Sequence, residues 1–249
     1  MKTVFKLAAV AAVVLALPVM AVARDAGDDG WHRYSSFSLS FPFVNHEFEC
    51  DDADCEFNSN GIGFDYSAHH VSPSGFTILS RYGFAYITGD LDVDYGTWWD
   101  DEDEQWYSDE GEIEDFKGFF TYFKLGVGYA FQLLDRHLAI IPTAGVGFTM
   151  DLLYCEYDTY EEDEYYYYGS YYTDYYEYSD DYFGVDFTID FFFNVMAAFM
   201  FTNHFGLSAS CEVSMNMLGF GASSELEDTY STDFGKFSFM PAVGICLRF

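Results

Sequence analysis

Apolar residues recur at every second position in eight separate stretches of this chain. In residues 237–249 one set is Phe237, Phe239, Pro241, Val243, Ile245, Leu247 and Phe249, and the other is Ser238, Met240, Ala242, Gly244, Cys246 and Arg248. Side chains of a strand point alternately to its two faces, so this pattern predicts a strand with one greasy face and one small or polar face. Seven further strands are predicted over residues 35–44, 60–70, 76–88, 116–131, 138–154, 182–201 and 205–217. In the first, Phe37, Leu39, Phe41 and Phe43 oppose Ser36, Ser38 and Ser40; in the sixth, Val185, Phe187, Ile189, Phe191 and Phe193 oppose Asp186, Thr188, Asp190 and Asn194.

The links between these stretches alternate between long and short. Residues 71–75, 134–137 and 202–204 make brief turns, whereas 90–115 and 155–181 are long and acidic, as is the connection through Cys50 and Cys55. That alternation is expected of an up-and-down barrel with brief turns at one end and extended loops at the other. A soluble eight-stranded ligand-binding barrel would place its apolar face inside. Here the second face is rich in Gly and Ser, which suits a narrow interior, so the apolar face is expected to meet lipid. The fold class that follows is all-β: an eight-stranded antiparallel up-and-down transmembrane β-barrel with short periplasmic turns and long acidic extracellular loops.

Composition sharpens this picture. The chain is 50% hydrophobic yet carries a net charge of -32, two properties that are compatible when the carboxylates lie outside the bilayer. A pI near 4.1 argues against a nucleic-acid partner, because phosphate would be repelled. Residues 1–23 read as a signal peptide, with Lys2 and Lys6, an apolar run over 7–17 and the small-residue site Ala21-Val22-Ala23, leaving 24–249 as the barrel domain.

The ending Gly244, Leu247 and Phe249 resembles the terminal signal of bacterial outer-membrane barrels, with Ala242 where a polar residue is usual. With the eight alternating stretches, the chain resembles the small outer-membrane barrels typified by OmpX and by the transmembrane part of OmpA. The resemblance implies location in the cell outer membrane, with its lipid and the barrel-assembly machinery as partners. It implies no cofactor, and the chain is expected to depart from full-length OmpA in having no peptidoglycan-binding domain.

Candidate chemistry falls in two places. Asp65, Arg81, Lys124, Asp190 and Glu212 lie on inward faces near mid-strand and are expected to form a lumen ion-pair network, since charge at membrane depth needs a polar interior and a partner. The network is expected to plug the lumen, and the alternative is a narrow cation-preferring channel. The outer loops offer Trp98, Trp99, Asp100, Asp101 and Glu102, and the Tyr-rich run with Tyr165, Tyr166, Tyr167, Tyr171 and Tyr172, which is expected to continue as a hairpin above the membrane. Tyr with Asp, Ser and Gly suits adaptable binding surfaces, here for basic proteins, cationic peptides or divalent cations. Cys50 and Cys55 flank a short acidic loop that a disulfide would close; a metal site with His46 and Glu49 is the lesser alternative. Asp65, Ser67 and His69 share one face, so a lipid acyl hydrolase enters as the least favoured function; the chain is read as non-enzymatic.

Overall fold

A computed structural model of the chain describes residues 30–50, 53–100, 105–167, 170–223, 230–232 and 235–249. The predicted signal segment lies outside the described residues. Eleven strand segments follow one another: β1 (His32–Ser40), β2 (Phe43–Cys50), β3 (Ala53–Val71), β4 (Phe76–Asp100), β5 (Gln105–Tyr129), β6 (Phe131–Leu133), β7 (Leu138–Tyr167), β8 (Ser170–Met200), β9 (Phe205–Ser223), β10 (Tyr230–Thr232) and β11 (Lys236–Arg248). Each neighbouring pair is antiparallel, and the ring runs β1, β3, β4, β5, β7, β8, β9, β11 and back to β1. Ser36 is the closing point, facing Ser67 of β3 on one side and Cys246 of β11 on the other. Closure of eight strands leaves no open edge, the condition for backbone that crosses lipid.

Two sequence expectations are revised. The first predicted strand, 35–44, is not continuous: Phe41 and Pro42 interrupt it, because proline has no N–H to give to a ladder. The gap is bridged by Phe41 N donating to Pro241 O at 2.9 Å and Gly61 N donating to Pro42 O at 2.9 Å. The long acidic links are not loops throughout. A ladder not foreseen from the sequence continues up β4–β5 to Asp100 opposite Gln105, and the hairpin expected of the Tyr-rich run continues up β7–β8 to Tyr167 opposite Ser170. Tyr and Trp in these links favour extended backbone, and a strand partner supplies every second hydrogen bond, so pairing outruns the hydrophobic pattern.

The outer wall is apolar. On β4, Phe76, Ile78, Phe84 and Tyr86 are exposed, and on β5 Phe119, Leu125, Val127 and Tyr129. The ten residue steps of tilted strand from Phe76 to Tyr86 rise about 25 Å, the height of the apolar band of a membrane barrel. Aromatic residues mark both limits: Phe201, Phe205 and Phe249 near the turns, and Phe43, Phe187 and Phe220 toward the hairpins.

The inner wall is filled in layers. Tyr34, Val71, Ala139, Ile141, Met196, Met200 and Cys246 form an apolar floor above the turns, and the charged layers lie beyond it. Two glycines make room for large inward groups. A Cβ on Gly147 would meet Lys124 Cγ at 2.6 Å, and one on Gly83 would meet the Tyr122 hydroxyl at 2.5 Å.

Candidate functional site: two charged layers in the lumen

The first layer centres on Arg81, which β4 points inward one register step from Ser67 of β3 and Lys124 of β5. Its Nη2 donates to Asp65 Oδ2, and its Nη1 donates to Glu212 Oε2 at 2.7 Å. Lys124 Nζ donates to the other oxygen of Glu212 at 2.5 Å and to Ser214 Oγ at 3.3 Å. Tyr122 lies beside both cations, its ring centroid 5.6 Å from Arg81 Cζ and 5.2 Å from Lys124 Nζ. Arg81, Lys124 and Glu212 are all about 1% exposed or less. Two positive and two negative groups thus meet in one buried, hydrogen-bonded cluster inside the ring.

The second layer lies toward the hairpins. Lys236 Nζ donates to Asp151 Oδ2 and stands 3.5 Å from Asp186 Oδ2. His46 Nδ1 is 3.7 Å from the same Asp186 oxygen. Asp190 accepts a hydrogen bond from Thr149 Oγ1. Among the described residues, Lys236 is therefore the one lysine or arginine against three buried aspartates. Asp151 Oδ1 and Thr188 Oγ1, both buried, have no hydrogen-bond partner among the described residues.

Four of the five residues expected to form one network, Asp65, Arg81, Lys124 and Glu212, are brought together. Asp190 is not among them: it sits higher, with Thr149. Lys236, the centre of the second layer, was missed because it directly precedes the alternating run that begins at Phe237, and a lysine at a strand start reads as loop. His46 was considered only with Glu49, yet its ring turns into the lumen toward Asp186.

The shared face of Asp65, Ser67 and His69 does not become a relay. Asp65 is engaged by Arg81, and both ring nitrogens of His69 lack a hydrogen-bond partner in a fully buried position. For the cysteine loop, the β2–β3 register sets Cys55 opposite Phe48 and Cys50 opposite Ala53, and the two side chains lie outside the described residues.

The loop candidates sit on the two hairpins. Trp98 pairs with Tyr107, Trp99 with Trp106 and Asp100 with Gln105; Asp101 and Glu102 lie outside the described residues. Tyr165 pairs with Tyr172 and Tyr166 with Tyr171, just below Tyr167 opposite Ser170. The last β5–β7 pair is Lys117 with Tyr154, and the last β8–β9 pair is Gly184 with Ser223. Above those levels, among the described residues, the β7–β8 ladder has no neighbouring strand in the sheet.

A closed eight-stranded ring, lipid-facing outside and filled with charge inside, defines a transmembrane barrel. The chain belongs to the DUF2715 family, a domain of unknown function whose model matches residues 31–249. No curated protein matches it. Among solved structures it is similar to the attachment invasion locus protein Ail of Yersinia pestis, at 12% identity over 87% of this chain and 98% of that one, with a TM-score of 0.40. It is also similar to the outer membrane protein OprG of Pseudomonas aeruginosa, at 8% identity over 90% and 98%, TM-score 0.49. Neisserial surface protein A matches at 11% identity over 88% and 97%, TM-score 0.45.

Proposed function

We propose that this chain is a non-enzymatic outer-membrane barrel that presents two tall hairpins to the outside as an acidic, Tyr-rich surface for basic proteins or cationic peptides. The observation that carries this reading is the β7–β8 ladder, which continues from Cys155 opposite Tyr182 to Tyr167 opposite Ser170, beyond the last pairs that the neighbouring strands make with it among the described residues. Pairing holds this run of Tyr, Asp and Glu as one ordered arm. An ordered arm binds with a smaller entropic loss than a free loop, and its carboxylates attract a basic partner over a distance set by salt.

The test is binding of the refolded barrel to a basic protein, lysozyme, in low and high salt, beside a variant in which residues 155–182 are replaced by a two-residue turn joining Tyr154 to Phe183. Binding that weakens about tenfold or more between low and high salt, and that the variant lacks, is the expected result. Equal binding by both proteins overturns the reading.

A second reading, a narrow cation-preferring channel, draws on the three aspartates facing Lys236 alone. The neutral layer beneath, with Arg81 and Lys124 pinned to Glu212, weighs against it. Planar bilayer recordings are expected to show silence, and discrete cation-selective steps would favour the channel.

A further inference from the structure

The cations of this chain are not spread at random. Of the arginines and lysines among the described residues, Arg81, Lys124 and Lys236 are held in the lumen layers and Lys117 lies at the base of a hairpin. The remaining three, Arg33, Arg136 and Arg248, all lie at the turn end of the barrel, with His32, His70, His137 and His204. Against them the described turns contribute a single acidic side chain, Asp135.

Two of these arginines, Arg248 and Arg33, are fixed in place. Arg248 Nε donates to Asn203 O at 3.0 Å and its Nη1 donates to Arg136 O at 3.0 Å, so one guanidinium ties the end of β11 to the turn at 134–137 and to the turn at 201–204. Arg248 N also donates to His204 O at 3.0 Å. Arg33 Nη2 donates to the Tyr66 hydroxyl on the lipid-facing wall. Arg136 is exposed, and its side chain makes no hydrogen bond or ion pair among the described residues. Around them Leu133, Leu134, Phe201, Phe205 and Phe249 are exposed apolar residues, which places the guanidinium groups where acyl chains give way to headgroups.

We propose that this rim is a binding belt for the phosphate groups of anionic lipids in the leaflet that the turns face. The planar guanidinium matches phosphate oxygens in pairs, and Arg248 keeps its Nη2 hydrogens available after binding two carbonyls. The neighbouring greasy residues select phosphate that belongs to a bilayer over phosphate in solution. Because the opposite end carries the acidic hairpins, the same charge pattern gives the barrel one favoured orientation in an asymmetric membrane.

The test uses the full barrel refolded in mixed micelles holding equal amounts of phosphatidylglycerol and phosphatidylcholine, with native mass spectrometry counting the lipids retained. The parent is expected to keep the anionic lipid at least about threefold over the zwitterionic one. Replacing Arg33, Arg136 and Arg248 together by Gln should bring the ratio near one, and replacing all three by Lys should retain most of it. Arg136→Gln alone, at an exposed side chain without internal bonds, covers the case in which the triple variant does not fold; it should lower the ratio measurably. Equal retention of both lipids by the parent, or an unchanged ratio in Arg136→Gln and the triple Gln variant, overturns the proposal. Inorganic phosphate is added in a parallel arm. Loss of the preference at low millimolar phosphate would assign the site to free phosphate instead of lipid.

Discussion

The two charged layers of the lumen differ in one respect that governs the rest. Around Arg81 the charges balance two against two, and each cation has a hydrogen-bonded carboxylate. Around Lys236, Asp151 and Asp186 share one ammonium with Asp190 close by at Thr149, and among the described residues the ion-pair contacts of Asp186 are at 3.5 and 3.7 Å. A buried charge costs several kcal/mol unless it is paired and hydrogen-bonded, so the lower layer locks the barrel while the upper one is a site of residual strain. The upper layer is also the one that faces the acidic hairpins. Removing a partner should therefore hurt below, and removing an excess carboxylate should help above.

Glu212→Ala is the strongest way to break this contrast. It strips Lys124 of its carboxylate and leaves Arg81 with Asp65 alone, and a loss of about 3–5 kcal/mol is expected in urea unfolding from micelles, read by the heat-modified gel shift. A loss below about 1 kcal/mol would show that the lower layer does not lock the lumen. Asp186→Asn tests the upper layer with the opposite sign. It removes one surplus charge while Lys236 keeps Asp151, and stability should rise by about 1 kcal/mol; a drop of that size would sink the idea of strain. The smallest effect is expected from shortening β7–β8 by removal of 155–182. The ring closes through pairs below that level, so the unfolding midpoint should shift by no more than about 0.5 kcal/mol equivalents, and a larger loss would make the hairpin part of the barrel's own stability.

Much of the fold was legible because two periods are written plainly in the chain. Alternation at every second residue assigned the outward and inward faces, and Phe37, Phe64, Phe84, Phe148, Phe193 and Val243 do face outward. Alternating link lengths gave the antiparallel order. The reading misplaced strand ends where the apolar pattern stopped but backbone pairing did not, as in β4 and β5, and it overlooked the break at Pro42, whereas the Tyr-rich run had pointed to the hairpin that β7 and β8 form. The same limit concealed Lys236, which lies one residue outside the pattern.

By itself, the sequence determined which side of each strand meets lipid and how many strands the ring holds, since these depend on local alternation and the spacing of turns. Only the tertiary structure decided which charges meet. Stagger between tilted strands sets the height of every inward side chain, and it brings Glu212 of β9 to Arg81 and Lys124 while lifting Asp190 to the level of Thr149. Heights across a closed ring are fixed by shear summed over all eight strands, a quantity that no single stretch of residues records.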